Sequence, residues 1–365
     1  MEKAAPAAHL RDLLAELWPG ASVVSTVALP PGAAGGETRK AEGYGEPLRV
    51  VLSEPGGRER TVVFHTAKAD SFGHDRRADR AAEQLLAFDD FRLVPDHARA
   101  LDVGAVLRGG RLVSLRDAGE FYLLSEWAPG EVYALDLGRI AENGVARESD
   151  LARAEALAQW AARLHAEKLG GPDRYRRAVR DLLGHGEGIF GMVDGYGAGV
   201  PGAPLKRLQG IEERALAWRW RLRGREGRLA RTHGDFHPYN IVFPREVGTE
   251  FTVLDASRGC CGDPADDVTA LAVNYVFFAA PRPAAWKAGL GPLWELFFGR
   301  YLAESGDREL LQVLAPWLAW RCLVVSSPRF YPALSPEARD RMLRLAERAL
   351  EAEAFDPRWA GELFR

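Results

Sequence analysis

Residues 232–243 read Thr232-His233-Gly234-Asp235-Phe236-His237-Pro238-Tyr239-Asn240-Ile241-Val242-Phe243, and residues 251–255 read Phe251-Thr252-Val253-Leu254-Asp255. Asp235 and Asn240 stand five positions apart in a segment whose Gly and Pro predict a loop. Ile241 to Phe243 and Phe251 to Leu254 are short apolar runs of strand type, with Asp255 at the end of the second. A tight hairpin would bring Asn240 and Asp255 together although fifteen residues separate them. Phosphoryl transfer needs this set of groups. One carboxylate orients the attacking hydroxyl and takes its proton, while an amide oxygen and a second carboxylate hold the Mg²⁺ that neutralises phosphate charge.

The spacing His-x-Asp-x-x-x-x-Asn, followed by an Asp that closes the next strand, resembles the catalytic and metal-binding loops of the protein-kinase-like superfamily. The wording His233-Gly234-Asp235-Phe236-His237-Pro238-Tyr239-Asn240 is similar to the aminoglycoside phosphotransferase and choline kinase branch. Gly234 stands where protein kinases carry Arg, and Asp255-Ala256-Ser257 replaces their Asp-Phe-Gly. Both departures favour a small-molecule kinase. The resemblance implies Asp235 as the catalytic residue, Asn240 and Asp255 as Mg²⁺ ligands, and ATP as phosphoryl donor.

Other readings of the stretch stay open. His233, Asp235 and His237 form a His-x-Asp-x-His cluster of the kind metal hydrolases use, but such a site needs further ligands and no His follows His237. Asp and Asn also cap turns without any catalytic role. A nucleotide-binding regulator that has lost turnover is a further alternative, against which the intact Asp235, Asn240 and Asp255 argue.

Composition narrows the field. The chain has 365 residues, 47% of them hydrophobic and 27% charged, which is ordinary for a soluble globular protein long enough for two domains. A net charge of −3 argues against a dedicated nucleic-acid binder. Three Cys make no disulfide framework, and the adjacent Cys260 and Cys261 lack metal-ligand spacing. No apolar run reaches the length of a membrane span, the longest lying around Thr269 to Ala280 and containing Asn274. The first twenty residues lack the pattern of a signal peptide, so a cytoplasmic location is expected.

Before the motif, His9 to Trp18 reads as a short amphipathic helix, and Val23 to Leu29, Leu48 to Leu52 and Thr61 to Thr66 read as strands of an antiparallel meander. The connection Gly32 to Gly45 holds five glycines. In a kinase-like lobe it would close over the nucleotide phosphates, and a plain flexible loop is the equal alternative. Neither a Walker-type phosphate loop nor a full Gly-x-Gly-x-x-Gly occurs. Lys68 is expected to end the third strand, with Glu83 on the helix Asp75 to Phe88. The resemblance implies that Glu83 holds Lys68 against the α- and β-phosphates, the alternative being a surface Lys and a solvated Glu. Phe121 to Trp127 reads as a strand, and the resemblance makes it the hinge, where backbone at Ser125, Glu126 and Trp127 would bond an adenine edge.

Beyond it the pattern is helical. Asp150 to Lys168 is strongly amphipathic, and His165 reads as a packed helix-end residue. Gly184 to Gly202 suggests a loop-rich insertion, and Leu205 to Arg231 carries nine Lys or Arg against three Glu with one apolar side, the pattern of a solvated amphipathic helix. Gly262-Asp263-Pro264-Ala265-Asp266-Asp267 opens another helix. The resemblance implies that Asp267 braces the catalytic loop, while an N-cap role for Asp266 or Asp267 is the plainer reading. Arg258 is placed to reach a phosphate or a neighbouring carboxylate.

The expected architecture is therefore α+β, a two-lobe kinase-like fold. Residues 1–127 form an antiparallel-sheet nucleotide-binding lobe, and residues 128–365 form a mainly helical catalytic lobe. The expected partner is a small hydroxylated acceptor, with no nucleic acid and no membrane.

Overall fold

The computed structural model describes residues 6–29, 47–245 and 248–365. The glycine-rich connection Gly32 to Gly45 lies outside the described residues. The chain divides into two compact units, Met1–Ser125 and Glu126–Arg365. The class is α+β: an antiparallel sheet in the first unit and a mainly helical second unit.

In the first unit, helix α1 (Pro6–Leu17) precedes strands β1 (Ser22–Ala28), β2 (Leu48–Ser53) and β3 (Glu59–Phe64). The strands pair antiparallel in sequence order, with Ala28 opposite Leu48 and Leu48 opposite Phe64. Period-two alternation sends Val50 and Leu52 to one face, where they are fully buried against Leu10, Leu13 and Leu14 of α1. Helix α2 (Arg77–Asp90) follows, and none of its residues is buried. A separate hairpin of β4 (Gly104–Val106) and β5 (Leu112–Ser114) adds Leu112 to the small core.

Two expectations fail in this region. β3 ends at Phe64, so Lys68 lies in the segment after the strand instead of closing it. Phe121 to Trp127 forms no strand. Its apolar side chains are open to solvent, Tyr122 and Leu123 more than nine-tenths so. β-propensity forms a strand only where a neighbouring strand accepts its ladder, and no described strand pairs with this run.

In the second unit, β6 (Glu131–Val132) leads into α3 (Tyr133–Asn143), α4 (Glu148–His165), α5 (Pro172–Gly184), α6 (Ile189–Asp194) and α7 (Leu205–Arg221). The stretch Gly184 to Gly202, expected to be a loop-rich insertion, is loop on either side of the short helix α6. Gly188 caps the start of α6 and Gly195 its end, while Gly191 lies within it. The predicted basic helix is α7, and it stops ten residues before Arg231. Strands β7 (Ile241–Phe243) and β8 (Thr252–Val253) form the expected hairpin, and β6 completes their sheet in the order β6-β7-β8.

Helices α8 (Pro264–Ala279), α9 (Gly291–Ser305), α10 (Leu310–Val313), α11 (Ala315–Ser326), α12 (Pro336–Glu351) and α13 (Trp359–Glu362) complete the chain. α8 is apolar on nearly all sides and runs through the core, packed on α9 and α11. That buried helix and α4 are the fixed surfaces on which the catalytic-loop candidate is mounted.

Candidate functional site

The loop 232–240 is anchored from below by one side chain. Asp267, in the first turn of α8, is fully buried and accepts hydrogen bonds from the backbone N–H of His233 at 2.6 Å and of Gly234 at 2.8 Å. Its Oδ2 also lies 3.1 Å from Nε2 of His165, at the end of α4. The other ring nitrogen of His165 meets the Tyr301 hydroxyl at 2.8 Å, so both faces of that buried imidazole are satisfied. The brace expected of Asp267 is thus present, and His165 is a packed helix-end residue. The N-cap of α8 is neither Asp266 nor Asp267 but Asp263, whose Oδ1 accepts the N–H of Ala265 at 2.9 Å. Arg228 clamps Asp263 through two bonds of 2.9 and 3.0 Å and ties it to Asp307.

The loop closes on itself. Ala230 and Gly262 exchange backbone hydrogen bonds of 2.9 and 3.1 Å, lashing the segment before Asp235 to the segment after Asp255. Gly234 sits at φ +85, and a Cβ there would stand 2.4 Å from the Gly259 carbonyl oxygen, so the position admits no side chain. The residue that departs from protein kinases is thus dictated by a close backbone approach. Phe236 is fully buried and stacks on Trp160 of α4 at 4.9 Å, which turns its neighbour Asp235 the other way.

Asp235, Asn240 and Asp255 come from adjoining turns. Asn240 donates its Nδ2 to the Asp235 carbonyl at 3.1 Å, leaving its Oδ1 as an unused acceptor. The N–H of Leu254 bonds the Asn240 carbonyl at 2.8 Å, and Ile241 pairs with Val253, so the hairpin delivers Asp255 beside Asn240. Asp255 has φ 54, a strained conformation for a residue with a side chain, and its Oδ1 accepts the N–H of Ser257 at 3.2 Å.

Three basic side chains surround Asp235. Arg321 donates to its Oδ1 at 2.8 Å, Nη1 of Arg258 lies 3.7 Å from the same oxygen, and Nε2 of His237 lies 3.5 Å from Oδ2. Burial alone would raise this carboxyl, but His237, Arg321 and Arg258 outweigh it and hold the group well below the usual carboxylate range. Arg258 therefore reaches a carboxylate. It also pairs with Glu187 at 3.3 Å and lies over the Trp320 ring.

The metal-hydrolase reading finds little here. His233 spends its Nδ1 on the Asp235 N–H at 3.3 Å, and among the described residues no three His, Cys, Asp or Glu converge to hold a metal. Mg²⁺ in a phosphotransfer site asks for less, one or two protein oxygens beside water and phosphate, and Asn240 Oδ1 with Asp255 fits that requirement.

Lys68 and Glu83 belong to the first unit. Lys68 is exposed, and no ion pair joins it to Glu83. The Glu83 carboxylate instead lies 3.6 Å from Nε2 of His74. Ser125 ends that unit, and Glu126 and Trp127 begin the second, all three exposed. Arg321 was missed by sequence reasoning. The available signal was a single charged residue inside the apolar run Ala315 to Val325.

A pH dependence follows from this geometry. Asp267 is pushed up by burial but brought down further by the His165 ring and the two loop amides, so its folded value is depressed, as is that of Asp235. A depressed carboxylate adds stability that is present above its unfolded value and lost as the pH falls through its folded value. The melting temperature is expected to fall steeply below about pH 4, the ordinary Asp range. Asp267→Asn should flatten the fall. Identical profiles for the two proteins in melts followed by circular dichroism would refute the assignment.

The model of the phosphotransferase enzyme family (APH) matches residues 53–304, which span both units and the whole of the loop and hairpin. No curated protein matches the chain. Among solved structures, a glucosamine kinase is 14% identical, with a TM-score of 0.41, covering 92% of this chain and 96% of its own. An aminoglycoside-3'-phosphotransferase of type VIII is 21% identical, with a TM-score of 0.35, covering 87% and 98%. An ethanolamine kinase of Plasmodium vivax is 9% identical, with a TM-score of 0.34, covering 94% and 81%. The family match, not these likenesses, carries the assignment. Among the described residues no helix is long and apolar enough to cross a membrane.

Proposed function

The chain belongs to the phosphotransferase enzyme family, and from that premise we propose that it transfers the γ-phosphoryl group of ATP to a hydroxyl of a small molecule. The observation that carries this reading is the mutual support of Asp235, Asn240 and Asp255. The Asn240 side-chain amide is tied to the Asp235 carbonyl, and its own carbonyl is tied to Leu254, next to Asp255.

Each residue has a defined task. Asp235 accepts the hydrogen bond of the acceptor hydroxyl and aims its oxygen at the phosphorus. Held by cations, the carboxylate is a weak base toward a resting alcohol. In a loose transition state the hydroxyl becomes acidic late, as the new P–O bond forms, so Asp235 orients first and takes the proton last. Asn240 Oδ1 and the Asp255 carboxylate would hold Mg²⁺, which would neutralise charge on the phosphates when bound. Lys68, exposed in this structure, is the residue assigned to steady the phosphates, and Glu83, which faces His74 here, would have to turn to it to serve as its partner. Backbone at Ser125, Glu126 and Trp127 meets the base.

The acceptor class is bounded by charge. Asp235 already has Arg258, Arg321 and His237 around it. A polycation such as an aminoglycoside fits these surroundings poorly, while a sugar, an amino alcohol or a hydroxy amino acid adds less positive charge. The test is ADP release in Mg²⁺ and ATP with a panel of hydroxylated acceptors, covering sugars, amino alcohols, hydroxy amino acids and aminoglycosides. Acceptor-dependent release is the expected result. Release that no acceptor stimulates would defeat the proposal.

A further inference from the structure

Helix α11 buries every residue of Ala315–Ser326 except Val324, and Arg321 is the only charged one. A guanidinium at 4% exposure is costly to keep out of water unless its N–H groups find partners. An apolar side chain of similar volume would fill the same space more cheaply.

What the cation gains is contact with the loop. Nη1 donates to Asp235 Oδ1 at 2.8 Å. Nη2 donates to Asp266 Oδ1 at 2.6 Å and approaches the Gly234 carbonyl at 3.4 Å. The guanidinium plane lies over the Trp320 ring at 4.0 Å, and that indole is itself fixed by donating its Nε1 to the Glu187 carbonyl at 2.7 Å. Arg321 Nε is left without a partner. The side chain is therefore fixed at both ends, by Trp320 along its face and by α8 through Asp266.

The two oxygens of Asp235 are treated differently. Both guanidinium groups, Arg321 at 2.8 Å and Arg258 at 3.7 Å, lie on Oδ1. Among the described residues, Oδ2 faces the His237 ring, at 3.5 Å. We propose that Arg321 is a positioning residue of the phosphotransfer: it takes up Oδ1 of Asp235 and thereby presents Oδ2, in one fixed rotamer, to the acceptor hydroxyl. Asp266 serves as its second anchor. Loss of the clamp leaves the carboxylate free to rotate about its χ angles, and catalysis falls because the hydroxyl is no longer aimed. Neither nucleotide contacts nor the bulk of the core are involved.

The inference rests on the phosphotransferase reading and is tested by Arg321→Lys. An ammonium keeps the charge but cannot bridge Asp235 and Asp266 in the planar, forked manner of a guanidinium. Expected is a drop in kcat of about tenfold to hundredfold, the size a misplacement near 1 Å produces. The KM for ATP should stay within about threefold in the folded variant, a kcat-against-KM split that a purely structural role would not give. Asp266→Asn, which keeps the shape and weakens the second anchor, should lower kcat in the same direction by a smaller factor. It carries the test if Arg321→Lys does not fold. A kcat within about threefold of wild type in a folded Arg321→Lys protein, or, where that variant does not fold, in Asp266→Asn, overturns the proposal. Wild-type turnover in the same assay separates the failures. An inactive wild type sinks both readings, whereas an active wild type with an unimpaired variant sinks this one alone.

Discussion

Replacing Asp235 by alanine is expected to leave ATP affinity within about threefold and to lower kcat by roughly 10²–10⁴-fold, the range for losing a positioned proton acceptor. The carboxylate is the only group proposed to touch the acceptor hydroxyl, while the phosphates are assigned to Asn240, Asp255 and Lys68. The substitution also removes the main partner of Arg321 Nη1 and leaves a buried guanidinium with Asp266 alone. Some loss of stability is therefore expected alongside the kinetic effect. Asp235→Asn separates the two. It keeps the shape and an acceptor oxygen for Arg321 but loses the charge and cannot take a proton, so it should melt between wild type and the alanine variant and turn over as poorly as the alanine variant. ADP release and nucleotide titration on the same preparations decide the matter. Turnover within about tenfold of wild type would remove Asp235 from its role.

The largest effect on stability is expected at Asp267. Its carboxylate is the common acceptor for the N–H groups of His233 and Gly234 and for His165. Asp267→Ala strands two buried amides and a buried imidazole at once. Breaking a buried charge-assisted network by removing one partner costs about 3–5 kcal/mol. For a unit of this size each kcal/mol lowers the melting temperature by roughly 2–4 °C. Activity should fall further than stability explains, because the loop that carries Asp235 loses its footing on α8. Asp267→Asn retains one acceptor oxygen and should lie between wild type and alanine. Melting within about 3 °C of wild type for Asp267→Ala would show that the loop holds without this brace.

The recognisable parts of the site are local. Asp235, Asn240 and Asp255 lie within a span of twenty-one residues, and their spacing and the apolar runs between them predict a loop and a hairpin. The structure contains that hairpin in the register that sets Asn240 beside Leu254. Asp267 was readable for the same reason, as part of a short motif opening a helix. The expected strand Phe121 to Trp127 failed because a strand is a relation between two segments, and a β-rich run carries no information about whether a partner lies alongside. Lys68 failed to close β3 for a related reason: alternation marks a face but not where pairing stops.

Class, the catalytic loop and the residues proposed for chemistry could be read from the chain alone, since short-range spacing and periodicity determine them. Only tertiary structure disclosed what surrounds Asp235. Arg321 reaches it across 86 positions, and His165 reaches Asp267 across 102. Contacts of that range arise when separate helices pack, and no pattern along the sequence records which charged side chain will end up against which other.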